Sequence, residues 1–317
     1  MTTRDVGLPD CQPVPGLPAR VLIWEVGARD GLQNEPALVP VGIKAEFLDR
    51  LAAAGLAVLE ATSFGHPRWV PQLADAPELL GLLTPRDGVR YPVLVPNERG
   101  LDRALAAGAT EIAVLASATE SFAQRNLNRD VDAQFAMLSP VLRRAKAGGL
   151  GARGYLSMCF GDPWEGAVPL EQVLRVGRGL LELGCDQLCL GDTIGVGTPG
   201  HVIALLEGFT RAGVGIDALA VHFHDTYGQA LCNTFAALRA GVSCVDASAG
   251  GLGGCPYAES ATGNLATEDL VWMLDGLGIE HGVDLAALVR TSAWMADQLG
   301  RPSPSRVVRA LSGREPR

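Results

Sequence analysis

The chain has 317 residues, 48% of them apolar, and a formal charge of −9, which allows a large core and offers no basic tract for nucleic acid. No apolar run reaches the ~18 residues that a membrane span needs, and residues 1–20 carry Pro9, Pro13, Pro15 and Pro18 without an apolar h-region, as an irregular tail does and a secretion signal does not. The seven cysteines are scattered, with no CxxC pair, which points to a reduced, cytoplasmic protein and away from a disulfide framework.

The first predicted strand is "VLIWEV" (21–26), and "GARDGLQNE" (27–35) follows it. Arg29 and Asp30 would point to opposite faces of a regular strand, but at a loop they can serve one site. Asp30 offers a hard carboxylate ligand, and Asp30-Gly31 is equally an ordinary turn. A helix comes next, with Ile43, Phe47, Leu48 and Leu51 on one face and Lys44, Glu46 and Asp49 off it.

A phrase then recurs: a helical run, a glycine, and a short run rich in β-branched residues. It reads "LAAAGLAVLEA", "LAAGATEIAVLA", "LELGCDQLCLGD" and "LRAGVSCVDAS", with Gly55, Gly108, Gly184 and Gly241 at the joints. Glycine ends a helix because it takes the left-handed C′ conformation without a Cβ clash. The runs that follow are apolar on both faces, as buried parallel strands are. "YPVLV" (91–95), "ARGYLSM" (152–158) and "ALAVHFH" (218–224) complete a set of eight strands, each followed by a helical pattern. Eight βα units over roughly 250 residues predict an α/β fold, a (β/α)8 TIM barrel, with an open doubly wound sheet as the alternative. The expected organisation is a tail at 1–20, a catalytic barrel at 21–280, and a helical extension at 281–317 packed on the barrel.

A barrel gathers its chemistry where strands end. Arg29 and Asp30 follow the first strand, Glu60 closes the second, Asn97 follows the third and Asp192 the sixth. Glu60 can orient Arg29 across the mouth, and Asp192 can bind substrate or hold a histidine; either can instead be a structural carboxylate that satisfies loop amides. In "VHFHDTYGQ" (221–229), His222 and His224 are two apart on the seventh strand and share a face. They make a metal half-site or a buried structural pair. After the eighth strand comes "GGLGGCPYAESATGN" (250–264), a loop able to close over a ligand. Its Cys255 can serve as a general acid or base, and its Asn264 can ligate a metal or shape a turn.

"GVGTPG" (195–200) matches GxGxxG but follows the sixth strand, where Thr198 caps a helix with Pro199 at its first position, so dinucleotide binding is not expected. Lys44 and Lys146 are the only lysines, and both fall in helical patterns, which disfavours a Schiff-base aldolase.

"EVGARDGLQNE", "EATSFGHPRWVPQ", "YPVLVPNERG", "LGDTIGVGTPG", "AVHFHDTYGQALCNT" and "GLGGCPYAESATGNLATEDLVWMLDGLGI" together closely resemble the 3-hydroxy-3-methylglutaryl-CoA lyase family, in order, from about residue 21 to 300. The resemblance implies a (β/α)8 barrel and a divalent metal held by Asp30, His222, His224 and Asn264; two imidazoles with oxygen ligands suit Mg²⁺ or Mn²⁺, with Zn²⁺ or Co²⁺ as alternatives. It implies Arg29 beside the thioester oxygen, Cys255 as proton carrier, and Glu60 and Asp192 as active-site carboxylates, with Asp30 or His222 taking the substrate's hydroxyl proton. The expected substrate contacts are Arg29, Gln33, Asn97, Arg125 and Asn128. The partners it implies are an acyl-CoA substrate and a second copy of the chain in a homodimer, with no nucleic acid and no membrane.

The expected reaction is cleavage to acetyl-CoA and acetoacetate. The alternatives are a lyase for a longer-chain substrate, a Claisen-type synthase joining acetyl-CoA to a 2-keto acid, and a silent barrel that binds CoA esters. The sequence departs from the family pattern at Ala28, Pro36 and Gly250, and at Asp162-Pro163-Trp164-Glu165-Gly166, where the family reads "CPYEG".

Overall fold

The computed structural model describes residues 10–254 and 263–312. The first half of the chain builds strands β1 (Leu22–Glu25), β2 (Val58–Leu59), β3 (Thr62–Ser63), β4 (Val93–Leu94), β5 (Glu111–Ser117) and β6 (Gly151–Ser157). Helices α1 (Val41–Ala53), α2 (Ala76–Leu82), α3 (Glu98–Ala106), α4 (Glu120–Leu127) and α5 (Val131–Ala147) connect them. A small hairpin, β7 (Gly161–Asp162) with β8 (Gly166–Ala167), stands after β6. Then follow α6 (Leu170–Glu182), β9 (Gln187–Asp192), α7 (Pro199–Arg211), β10 (Leu219–Phe223), α8 (Ala230–Arg239), β11 (Cys244–Ala247), α9 (Thr267–Leu277), α10 (Leu285–Leu299) and α11 (Arg306–Leu311). The four joint glycines Gly55, Gly108, Gly184 and Gly241 all have positive φ, between 82° and 110°, as the helix-ending role requires.

The main sheet is parallel, in the order β2-β1-β11-β10-β9-β6-β5-β4-β3. Its two ends, β2 and β3, are one run of chain interrupted at Glu60-Ala61. This run bonds to both neighbours: Glu60 N donates to Glu25 O at 2.8 Å, and Ala61 N donates to Pro92 O at 2.9 Å. The sheet therefore closes on itself as a (β/α)8 TIM barrel, not an open doubly wound sheet.

Strand alternation sorts the side chains into two layers. Ile23, Leu188, Leu190, Val221 and Val245 belong to the large core between strands and helices. Trp24, Tyr155, Cys189, Ala220 and Cys244 form a separate interior cluster. The interior thus mixes the aliphatics Val26, Val58 and Leu94 with small and polar-tipped residues, which leaves room for charge. On the outer layer, Phe47 and Leu51 of α1 are fully buried, each worth about 1.5–3 kcal/mol of burial.

One expectation is corrected here. Lys44 does not lie off the apolar face of its helix: it is 1% exposed. Its ammonium bonds Gln72 O and Asp75, so its stem packs in the core while its charge is paired. The hairpin β7–β8 was not foreseen. α10 packs on α1, where Arg50 lies 4.4 Å from the Trp294 ring centroid. Residues 303–305 reach the base of the glycine-rich loop, with Ser303 Oγ donating to Gly250 O at 2.8 Å. No helix among the described residues is long and apolar enough to cross a membrane.

Candidate metal centre

His222 and His224 project into the barrel because Val221 and Phe223 occupy the outward positions of β10. Their ring centroids are 5.3 Å apart. Asp30 sits on a wide turn, Gly27–Gly31, in which Arg29 N and Gly31 N both donate to Val26 O at 3.1 Å. The turn passes close to the loop after β11: a Cβ on Gly31 would lie 2.8 Å from Ser248 Oγ and 2.9 Å from Leu252 Cβ. Asn264 is held against the end of β10 by Leu265 N donating to Phe223 O at 3.0 Å and Asp225 N to Gly263 O at 3.1 Å.

These elements bring Asp30, His222 and His224 together, with one ligand atom from each within 4.8 Å of the others. Asn264 Nδ2 donates to Asp30 Oδ2 at 2.9 Å and to Leu252 O at 3.0 Å. Its buried Oδ1 has no hydrogen-bond partner among the described residues. A buried amide oxygen without a donor is costly, and a cation would satisfy it. One carboxylate, two imidazoles and an amide oxygen fit a divalent ion of hard or borderline character.

Arg29 lies beside this group. Its Nε donates to Glu60 Oε1 at 2.5 Å and its Nη1 to Asp30 Oδ1 at 2.6 Å. Glu60 Oε2 accepts from Trp24 Nε1 at 2.9 Å and Tyr155 Oη at 2.5 Å. The guanidinium is thereby fixed in orientation inside the mouth. Burial alone would raise the Asp30 carboxyl, but Arg29, the two histidines and the Asn264 amide outweigh it and hold it well below the usual carboxylate range. His222 moves the other way. Burial would depress it, but the hydrogen bond and charge of Asp246, with Asp30 behind them, push it above its ordinary value.

Asp192 is buried and accepts from Val196 N at 3.0 Å and Gly197 N at 2.9 Å, so it organises the "GVGTPG" loop. Burial pushes it up to about 6 against the pull of those amides. Thr198 caps α7 with Pro199 first in the helix. Asn97 is exposed and caps α3 by accepting from Gly100 N at 3.0 Å. Gln33 is half-buried beyond the Asp30 turn.

Arg125 and Asn128 lie on and just after α4. Arg125 lies 4.3 Å from the Trp164 ring centroid and, with Glu120, Ser121 and Gln124, lines an open depression on the surface. Asn128 ends α4 with φ 50° and accepts from Gln124 Nε2 at 2.9 Å. Cys255 lies outside the described residues. The loop leading to it leaves from the site, since Asn34 Nδ2 donates to Gly254 O at 2.9 Å.

The sequence reading missed Asp246, Arg153 and Tyr155. His222 Nδ1 lies 3.1 Å from Asp246 Oδ2, and Arg153 Nη2 donates to Asp246 Oδ1 at 2.6 Å. The available signal was a charge inside each of two otherwise uncharged strand runs, "GARGYLSM" and "VSCVDAS".

Comparison with known proteins identifies the family. A family model described as HMGL-like matches residues 20–295. The chain is 49% identical over 294 residues to the mitochondrial hydroxymethylglutaryl-CoA lyase of Rattus norvegicus, covering 93% of this chain and 90% of that protein. It is 49% identical over 299 residues to the mitochondrial enzyme of that name from Arabidopsis thaliana, covering 94% of this chain but 64% of that protein; it therefore spans less than two thirds of that relative's length. A crystal structure of hydroxymethylglutaryl-CoA lyase from Pseudomonas aeruginosa superposes with a TM-score of 0.91 at 45% identity, covering 94% of this chain and 99% of that one.

Proposed function

The chain belongs to the HMGL-like family, and on that premise we propose that it is a carbon–carbon lyase that cleaves 3-hydroxy-3-methylglutaryl-CoA to acetyl-CoA and acetoacetate. The observation that carries this reading is the meeting of Asp30, His222 and His224 with the unpartnered Asn264 oxygen beside a fixed arginine. Cleavage of the C2–C3 bond needs three things of the protein. The C3 hydroxyl must lose its proton, the electron pair must be accommodated on the thioester enolate, and C2 must then be protonated.

Asp30, His222, His224 and Asn264 would hold Mg²⁺ or Mn²⁺, which when bound lowers the pKa of a coordinated hydroxyl and orients the substrate. Asp30 takes the hydroxyl proton, since His222, with Nε2 on the ligand side and Nδ1 against Asp246, has no lone pair to spare. Arg29 stabilises the charge that grows on the thioester oxygen. Glu60 and Asp30 have already fixed the guanidinium, so little reorganisation is needed, and such a donor is worth about 3–4 kcal/mol in the transition state. Cys255 returns a proton to C2. The described part of the chain before it ends beside the Asp30 turn, where Asn34 Nδ2 donates to Gly254 O at 2.9 Å.

The test is product analysis. Demetallated protein is reloaded with Mn²⁺ and given a chain-length series of 3-hydroxy-3-alkylglutaryl-CoA esters. The expected outcome is that acetyl-CoA and acetoacetate form fastest from the methyl compound. Release of free thiol from acetyl-CoA plus a 2-keto acid, with no cleavage of any ester, would instead identify a synthase.

A further inference from the structure

The barrel interior holds a line of charge that the reaction as described does not use. Arg153 on β6 and Asp246 on β11 are 2% and 1% exposed. They make an ion pair of 2.6 Å, and Asp246 turns its other oxygen to His222 Nδ1 at 3.1 Å. The register of the barrel builds the second contact, because His222 and Asp246 sit directly opposite each other on β10 and β11. Cys189 Sγ also approaches Asp246 Oδ2, at 3.6 Å.

Arg153 is held mainly by rings. Its guanidinium carbon is 4.0 Å from the Trp24 centroid and 5.1 Å from that of Tyr155, and its Nε and Nη1 have no hydrogen-bond partner among the described residues. A fully buried ion pair with unsatisfied donors is a poor device for stability, since apolar residues of the same volume usually do better. Its value has to be sought in what it does to its third member, His222.

We propose that Asp246 is a positioning residue for His222, and Arg153 for Asp246, so that the imidazole is locked with its proton on Nδ1 and Nε2 is presented to the metal. A neutral imidazole has one N–H and one lone pair. A carboxylate can only accept, so it fixes the proton on Nδ1 and leaves the lone pair on Nε2. That nitrogen lies 4.0 Å from Asp30 Oδ2, on the ligand side of the ring. Arg153 Nη2 occupies the other oxygen of Asp246 at 2.6 Å, which fixes the carboxyl group in orientation with Oδ2 turned to the ring. A carboxylate behind a ligating histidine fixes the ring and raises its basicity, and loss of such a partner typically weakens metal binding about 10–100-fold. The inference rests on the metal-dependent function proposed above, and its test is arranged to separate the two.

Mn²⁺ binding to the unaltered protein is measured first, from the signal of free Mn²⁺ in electron paramagnetic resonance. Asp246→Asn alone would strand the buried Arg153 charge, so the informative variant is the pair Arg153→Met with Asp246→Asn, which removes both charges together. Its Mn²⁺ affinity should fall about 10–100-fold while unfolding stays cooperative. Affinity equal to that of the unaltered protein overturns the proposal, because a merely structural ion pair would change stability and leave binding alone. A second arm needs no variant at the pair. In metal-free protein labelled with ¹⁵N-histidine, at a pH high enough for the ring to be neutral, the His222 resonances, assigned by their loss in His222→Gln, should show the proton on Nδ1. A proton on Nε2 overturns the proposal even if the paired variant fails to fold. Failure of the unaltered protein to bind Mn²⁺ would count against the metal function itself, and the histidine spectrum would still decide the positioning role.

Discussion

Asn264 Nδ2 donates a 2.9 Å hydrogen bond to Oδ2 of Asp30, which lies 234 residues earlier in the chain. The amide therefore spends its donor on a ligand carboxylate and keeps its oxygen for the ion. Asn264→Asp would set an acceptor against two acceptors, Asp30 Oδ2 and Leu252 O, and add a like charge. Without metal the variant should lose on the order of 2–4 kcal/mol of stability. With Mn²⁺ much of the loss should be recovered, since the ion neutralises both carboxylates. Denaturant titrations with chelator and with Mn²⁺ measure this, and a chelated midpoint equal to that of the unaltered protein would contradict the described contact.

Metal binding should also register as stability in the unaltered chain. A ligand that binds only the folded state at about 100 times its Kd adds about 2.7 kcal/mol. For a chain of this size that corresponds to a rise in Tm of about 4 °C. Thermal scans across a Mn²⁺ series should show it, and His222→Ala should abolish the rise as well as turnover. An unchanged Tm across the series would argue against an ion at Asp30, His222 and His224.

Arg29→Met should divide its effects unevenly. The guanidinium faces charge that develops only as the carbon–carbon bond breaks, so kcat should fall by about 10²–10³ while KM changes little. Arg29→Lys should not rescue it. A point charge with three rotatable donors cannot reproduce the fork that joins Glu60 at 2.5 Å and Asp30 at 2.6 Å. A variant with raised KM and unchanged kcat would move Arg29 from chemistry to binding.

The parts of this architecture that the sequence exposed are those with a local period. The joint glycines and the alternating strands gave the barrel, and the i, i+2 spacing put His222 and His224 on one face. Asp30 and Asn264 had no such signature, since Asp30-Gly31 reads as a turn and Asn264 as a loop residue; only the family resemblance raised them to ligands. Asp246 and Arg153 escaped both routes. Their contact joins strands 93 residues apart in sequence, and a charge inside a buried run has no local pattern that names its partner. Lys44 was misplaced for the same reason: a periodicity argument assigns a lysine to the wet face, and only Asp75, brought near by the fold, makes its burial tolerable. "GVGTPG" shows the converse, a motif legible in sequence whose physical content is a helix cap and a carboxylate-anchored turn.

Two glycines of different surroundings make a further test. Gly253 has φ +110°, and a Cβ there would lie 2.6 Å from Asn264 Nδ2. Gly253→Ala should therefore cost about 2–4 kcal/mol and weaken Mn²⁺ binding by displacing the Asn264 amide. Gly81, exposed near the end of α2, has nothing within 4 Å of its would-be Cβ. Gly81→Ala should leave activity alone and add up to about 1 kcal/mol from helix propensity. Equal effects at the two positions would mean that the loop passes Asn264 less closely than described.

The base of the glycine-rich loop carries a pH signature of its own. Glu268 is fully buried and accepts from Gly250 N at 2.9 and 3.1 Å and from Ser292 Oγ. Burial pushes it from 4.5 up to about 8, against the pull of those hydrogen bonds and with the nearby Glu25 adding to the rise. The folded state thus keeps a proton that the unfolded chain releases, so over the window from about pH 4.5 to about pH 8 stability falls as pH rises. The whole penalty is present above that window and absent below it. Glu268→Gln stays neutral throughout and preserves the shape of the protonated acid, its amide oxygen facing Gly250 N and its nitrogen donating to Ser292 Oγ. The variant should match the parent near pH 4.5 and gain on it steadily, by on the order of 2–4 kcal/mol at pH 9. Urea unfolding of both proteins at pH 5, 7 and 9 reads the difference directly. Parallel profiles would mean that Glu268 is already ionised in the fold, with a compensating cation or water at the loop base.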